Sequence, residues 1–221
     1  MRNKLRFFLS VFFAVGLLVG TQISPDAASA QDSTANRQND GGTGTGVFED
    51  DRILGDLDAP VTIVEYSSMT CPHCAAFHNG PYNDIVKEYI DTGKARLIYR
   101  DLPWNGLAFR ASLVARCLPE KRFFPFVKRI FATQSEWTKQ EEAGLIQLAS
   151  LAGINATKYR ECLENKEEQE KILLRRQQAL AELKASGTPY FFINGEAVNG
   201  ARSIDAFRSV IDRALSNAGV E

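Results

Sequence analysis

Charge of one sign is what this 221-residue sequence most clearly lacks: 26 lysines and arginines face 27 aspartates and glutamates, a formal net charge of −1. Setting aside Met1 to Ala30, with three basic residues and one acidic, leaves 23 against 26, or −3. Nothing here points to a polyanion-binding surface, and no nucleic acid partner is expected. Long apolar runs are scarce too. The only candidate is FFLSVFFAVGLLVG near the N-terminus, short for a membrane span of roughly 20 residues. The glycines of GGTGTG have no strand before them and no Lys-Ser/Thr after them, which excludes a phosphate loop. Cysteines number four. Two form the close pair Cys71 and Cys74, but a haem attachment site needs histidine directly after the second, and Ala75 stands there. A structural zinc site would normally bring another closely spaced pair, whereas Cys117 and Cys162 stand alone. No metal and no cofactor is expected.

What is present begins with an export signal: Arg2, Lys4 and Arg6, the apolar run, then Ala28-Ser29-Ala30 as a signal peptidase site. Residues 1–30 are expected to be cleaved, with the mature chain starting near Gln31; the alternative is an uncleaved anchor. An oxidising compartment lets cysteines pair, so an even number of them reads as candidate disulfides before metal ligands. Residues 31–47 are polar and Gly-rich without apolar periodicity and read as a flexible tether.

With 44% hydrophobic residues, the chain has material for one good core with an elaboration. APVTIVEYSS alternates β-branched residues on both faces and predicts a buried strand. A helix is predicted from about Ala75 to Asp91, bent at Gly80-Pro81 and stopped by Gly93, and ARLIYR follows as a second, parallel strand. Residues 101–186 change to helical period, with Thr138 and Glu141 as a capping box, Asn155 as an N-cap and ENKEEQEK as a solvated face. GTPYFFINGEAVNG predicts a hairpin about Asn-Gly, and a last helix starts at Ser203 with Phe207, Val210, Ile211 and Leu215 on one stripe. Removing the helical insertion leaves a compact α/β unit of residues 48–100 and 187–221.

For the stretch Cys71-Pro72-His73-Cys74, a merely structural bridge is a poor explanation, because so small a loop constrains the unfolded chain little. Thiol exchange accounts for more of the surroundings. A cysteine after a strand and at a helix start lies in the field of unpaired backbone N–H groups, which favours thiolate. Pro72 fills an early helical position without wasting a donor, and His73 can donate a hydrogen bond or positive charge toward the Cys71 sulfur. Cys71 is then the exposed nucleophile and Cys74 the shielded resolving thiol. Lowering the Cys71 pKa by about three units from roughly 8.5 stabilises the reduced form at pH 7 by about 2 kcal/mol. For a two-electron couple that is roughly 45 mV toward oxidant.

The CPHC pair six positions after Glu65, the helical insertion and GTPYFFING before the last hairpin together resemble the DsbA family of bacterial periplasmic thiol:disulfide oxidoreductases, over about Phe48 to the C-terminus. An acidic, oxidising thiol is a known property of that family, so the magnitude above belongs to the resemblance as much as to the residues. The resemblance implies a thioredoxin fold with an inserted helical domain between the second strand and the cis-proline strand. It also implies a periplasmic location, oxidation of newly exported proteins, and a DsbB-like, quinone-linked membrane partner. Cys71 would be the attacking thiol, Cys74 the resolving one, Pro189 a cis-proline beside the pair and Glu65 the buried acid beneath it. Burial should favour the neutral form of Glu65 and let it relay a proton to or from Cys74; the rival is a partly solvated carboxylate at a strand end. A cis Thr188-Pro189 bond would expose the Thr188 backbone to an extended substrate, against an ordinary trans proline opening a strand.

His78 is expected at the surface or boundary, since no carboxylate cluster accompanies it. Trp104, Trp137 and Phe123 to Phe126 are core candidates first, and an apolar client surface second. Export favours a bridge between Cys117 and Cys162 over two free buried thiols. Three functions follow: a monomeric dithiol oxidase, an isomerase or reductase on the same fold, and a chaperone-like binder with a structural cysteine pair. An isomerase of the related type usually carries an N-terminal dimerisation module, for which the tether is too short and featureless.

Overall fold

The computed structural model describes residues 46–220. The expected export signal and all but the last two residues of the expected tether lie outside the described residues. A short strand, β1 (Arg52–Leu54), opens the fold; three residues without clear alternation gave it no signature in the sequence. The apolar runs on either side of the CPHC segment become β2 (Val61–Ser67) and β3 (Ala95–Asp101). They pair in parallel from Val61 opposite Ala95 to Ser67 opposite Asp101. All seven β2 residues are buried, which explains a run that is apolar on both faces.

The crossover between them is not one helix. It begins at Pro72, earlier than the period suggested, as α1 (Pro72–Asn79), breaks at Gly80, and resumes as α2 (Pro81–Ile85) and one π turn, Val86–Ile90. The break falls where Pro81 cannot donate a helical hydrogen bond. Gly93 ends the segment at φ +73°, a conformation that side chains other than glycine rarely adopt.

The insertion supplies α3 (Gly106–Arg116), α4 (Glu120–Ala132), α5 (Gln134–Trp137), α6 (Glu141–Leu151), α7 (Ala156–Glu164) and α8 (Lys166–Ala181). Asn105 caps α3 by accepting from the Ala108 amide at 2.8 Å, Asn155 caps α7 from Lys158 at 2.9 Å, and Asn165 caps α8 from Glu168 at 3.1 Å. The predicted capping box of Thr138 and Glu141 does not form. Glu141 has φ +50°, Thr138 lies in a 3-10 turn, and its hydroxyl donates to the Gln134 carbonyl at 2.6 Å. Packing sets this junction: a Cβ on Gly144 would come within 2.4 Å of the Trp137 carbonyl oxygen, so α6 is pressed against the preceding turn. The helical block shares the sheet's core, because Ile63 and Leu97 belong to the same buried cluster as Phe123, Val127 and Leu145.

The hairpin forms as β4 (Tyr190–Ile193) and β5 (Glu196–Asn199), with Asn194 at φ +44° and Gly195 at +89°. These positive angles suit a tight turn that follows the sheet twist. The sheet order is β1-β3-β2-β4-β5, with β2 central. Helix α9 (Ile204–Asn217) closes the fold, capped by Ser203; Phe207, Ile211 and Leu215 are buried and Val210 is half-buried.

Gly46 and Val47, read from sequence as tether, are held against the body. The Gly46 carbonyl accepts from Arg100, and Val47 packs against the buried cluster that includes Tyr66 and Phe192. Phe48 lies under the guanidinium of Arg175 at 3.3 Å and near that of Arg100 at 4.3 Å. Arg100 also donates to Asp51 at 2.7 and 3.0 Å and to the Tyr66 hydroxyl at 2.9 Å. Of the aromatic residues expected in the core, Trp137 and the phenylalanines at 123, 124 and 126 are buried. Trp104 is 44% exposed. No helix of the described residues is long and apolar enough to cross a membrane.

Candidate active site

Cys71 sits at the junction of β2 and α1, in extended backbone at the N-cap position, and Pro72 takes the first helical turn. The chain thus turns from sheet to helix at the sulfur, and the amides of α1 point toward it. Its half-buried sulfur lies 3.2 Å from the Thr188 carbonyl oxygen, to which it donates only while protonated. Thr188 precedes Pro189 through a cis peptide bond, at the entry to β4 beside β2. Two sequence-distant segments therefore meet at one sulfur. His73 is exposed, while Cys74, on the inward face of α1, is completely buried. The Ser68 amide donates to the Cys74 sulfur at 3.5 Å, and the two thiols are unbonded.

Opposed surroundings separate the two thiols. A hydrogen bond from Cys74 is the largest influence on Cys71; despite partial burial, and with the Cys74 and His73 amides adding to it, the Cys71 pKa is lowered to about 5. For Cys74, burial first, then its bond to Cys71 and the charge of Glu65, push the thiol well above the ordinary range. One sulfur is thus an anion at neutrality and its neighbour a neutral donor.

Glu65 lies beneath the pair in the middle of β2, fully buried, opposite Tyr99 on β3 and Phe191 on β4. The rival placement at a solvated strand end does not occur. His78 is the residue that sequence reasoning misplaced. It is buried, not superficial, and its Nε2 lies 3.0 and 3.1 Å from the two Glu65 carboxylate oxygens. Its ring stacks on Phe131 at 4.2 Å and tilts against Tyr82 at 4.6 Å. The signal was available: His78 follows Cys74 by four residues, one turn along the same inward helix face.

Gln134 carries no such signal. From the start of α5 its amide donates to the Met69 carbonyl at 3.0 Å and the Cys71 carbonyl at 2.9 Å, tying the helical block to the cysteine loop. On the outer rim the Trp104 indole donates to the Thr188 hydroxyl at 3.1 Å, and Asn105 to the Thr70 hydroxyl at 2.9 Å. Cys117 and Cys162 are bonded to each other, joining the end of α3 to α7 with Cα atoms 5.7 Å apart. Among the described residues no group of three or more His, Cys, Asp or Glu side chains could hold a metal ion.

A half-exposed acidic thiol, a buried partner three residues on and a cis-proline loop across from it have the chemistry that dithiol–disulfide exchange requires. Comparison with known proteins narrows the class. A family profile described as thioredoxin matches residues 48–213. A Rickettsia felis protein named as a protein-disulfide oxidoreductase is 32% identical over 76% of this chain, which spans 62% of that protein's length. A Bacillus anthracis protein named as disulfide bond formation protein D is 28% identical over 96% of this chain and 97% of its own. The crystal structure of Wolbachia pipientis alpha-DsbA1 superposes with a TM-score of 0.73 at 29% identity, covering 78% of this chain and 94% of that one. The chain belongs to the thioredoxin family, in its DsbA-like group.

Proposed function

We propose that the protein is a dithiol oxidase that introduces disulfide bonds into exported polypeptides in the periplasm. The observation that carries this is the split between a Cys71 held near pKa 5 and a Cys74 held protonated. In the oxidised protein a substrate thiolate attacks the Cys71 sulfur of the Cys71–Cys74 disulfide. The S–S bond breaks, Cys74 leaves with the electron pair and takes a proton, and a mixed disulfide joins Cys71 to the substrate. A second substrate thiolate then attacks the substrate sulfur and expels Cys71 as a thiolate. The substrate has lost two electrons, and the protein has gained two with the proton on Cys74. A stable leaving thiolate makes the second step favourable, so the site gives its disulfide away. Glu65, the buried acid whose charge reaches Cys74, supplies and receives that proton. The Thr188 backbone beside Cys71 offers the extended substrate a partner, with cis Pro189 presenting it.

Clients are reduced or unfolded exported proteins, and a DsbB-like, quinone-linked membrane protein restores the disulfide. The protein works as a monomer. Oxidation of a reduced dithiol peptide, reduction of insulin and repair of a scrambled substrate, run side by side with a Cys71→Ala control, separate this function from isomerase and reductase. Fast peptide oxidation with slow insulin reduction and slow repair is the expected pattern. Full activity of the control would eliminate every enzymatic interpretation and leave a chaperone-like binder.

A further inference from the structure

A cation on the rim of the site is left without an anion. Arg176, on α8, is half-buried and lies over the indole of Trp104, its guanidinium carbon 5.7 Å from the ring centroid. Its Nε donates to the Pro103 carbonyl at 3.0 Å, and neither Nη nitrogen has an acceptor among the described residues. Its chain neighbour Arg175 pairs with Asp50 at 3.0 Å, and the buried Arg100 and Arg116 pair with Asp51 and Asp101. A guanidinium partly withdrawn from water and unpaired gains from an arriving carboxylate, which its two Nη groups match as a fork.

The cation stands beside the path to the reacting sulfur. The Trp104 indole donates to the Thr188 hydroxyl at 3.1 Å, and the Thr188 carbonyl oxygen lies 3.2 Å from the Cys71 sulfur. A polypeptide that reaches the sulfur along the Thr188 backbone therefore passes Trp104, which is 44% exposed. Three contacts separate the guanidinium from the sulfur, so it can meet side chains about two to four residues from the incoming cysteine, at roughly 3.4 Å per extended residue. The largest influences on the Cys71 sulfur come from Cys74, burial, Thr188 and the amides of Cys74 and His73, and Arg176 is not among them.

We propose that Arg176, braced on Trp104, is a specificity-determining residue that receives the carboxylate of an aspartate or glutamate flanking the client's cysteine. This rests on Cys71 exchanging with polypeptide sulfur and names the clients it favours: those acidic on one side of the reacting cysteine. The stem of the acidic side chain lies along the indole and its two oxygens accept from the two Nη groups. The contact selects which client is held and changes no bond in the exchange. A guanidinium that only braced the Pro103 loop would leave exchange indifferent to client charge.

The test follows adduct formation in Cys74→Ala protein, where a mixed disulfide cannot be resolved. The probes are cysteine peptides carrying a neutral 2-pyridylthio group on sulfur, with one Glu or one Lys stepped through the four positions on each side. The Cys71 thiolate attacks the peptide sulfur, the new S–S bond joins the two, and the pyridylthiolate leaves with the electron pair and is read by its absorbance. At a position two to four residues away on one side, Glu should react about fivefold faster than Lys, an effect of the size that a single exposed to half-buried ion pair supplies. Arg176→Gln should bring that ratio near one, Arg176→Glu should invert it, and Trp104→Ala should lower it. About 0.5 M salt should erase it in the protein that keeps Arg176. A ratio that Arg176→Gln leaves unchanged at every position overturns the proposal. Should Arg176→Gln not fold, salt decides: equal rates at low salt, or a preference that survives high salt, overturn it. Oxidation of the reduced peptides by the unmutated protein is scored separately, so its failure would remove the oxidase assignment while the trapped adducts still judge the subsite.

Discussion

Acidification is the perturbation that most directly probes the Cys71 sulfur. The group has its pKa lowered from 9.0 to about 5 in the folded dithiol protein, chiefly by the Cys74 hydrogen bond. At pH 7 the difference between an almost fully ionised and an almost fully protonated thiol is about 2.7 kcal/mol. Cys71 is only half-buried, so solvent screens part of this, and about 2 kcal/mol is the working figure. Because the folded value is depressed, the stabilisation of the dithiol form is complete above pH 9 and falls as pH drops, vanishing below about 5. For a two-electron couple the pH 7 figure raises the reduction potential by about 40 mV. Thiolate absorbance in the ultraviolet, followed from pH 3 to 10 in the dithiol protein with Cys71→Ala as blank, should show one midpoint near 5. In Cys74→Ala the midpoint should rise by roughly one to two units, since a hydrogen bond to a charged group of about 1.5–3 kcal/mol is lost. A midpoint near 9 in the unmutated protein would refute the entire electrostatic account. An unchanged midpoint in Cys74→Ala would refute the part assigned to Cys74.

Replacing both Cys117 and Cys162 with alanine opens a loop with a sequence separation of 45 and should lower the unfolding free energy by up to about 4 kcal/mol, read by urea titration. The Cys71 midpoint should not move, and a loss below about 1 kcal/mol would mean the bridge contributes little. Arg100→Ala leaves Asp51 buried without its bidentate partner and should cost about 3–5 kcal/mol in the same assay. A near-neutral result would show that the N-terminal segment is not fastened there. Gln134→Ala strips its donor from the Met69 and Cys71 carbonyls and should destabilise by about 1–3 kcal/mol. It should also slow peptide oxidation more than it shifts the thiolate midpoint; equal effects on both would argue against a positioning role. Gly144→Ala drives a methyl against the Trp137 backbone and should cost about 1–3 kcal/mol, visible as a lower thermal midpoint.

Local signals in the sequence carried well where a residue's role depends on its neighbours in the chain. Asn155 and Ser203 cap helices because their side chains reach amides three residues on, and Asn194-Gly195 turns because both tolerate positive φ. The β2 run announced a strand buried on both faces for the same reason, since apolarity on both faces has few other uses, whereas its central place in the sheet came only with the topology. Such signals failed where packing sets the answer. Glu141 adopts φ +50° because α6 closes on Trp137, so the capping box does not form. Three-residue β1 is a strand because β3 offers it an edge.

That Cys71 and Cys74 would share one site was legible from spacing, since two cysteines three apart at a strand–helix junction must face the same helix end. Which of the two is the more acidic was also legible, since Cys74 and the amides at the helix start act on Cys71 locally; the burial and the Glu65 charge that push Cys74 up were supplied by the tertiary fold. The Thr188 carbonyl, Glu65 and the Gln134 amide arrive at the pair from the loop before β4, from β2 and from α5, up to 117 residues away. His78 shows the same boundary from the other side: its helix position was legible, but its partner on β2 was not. Chain order sets which side chains a helix turn aligns, whereas burial and the charges that cross it exist only once sheet and helices close on one another.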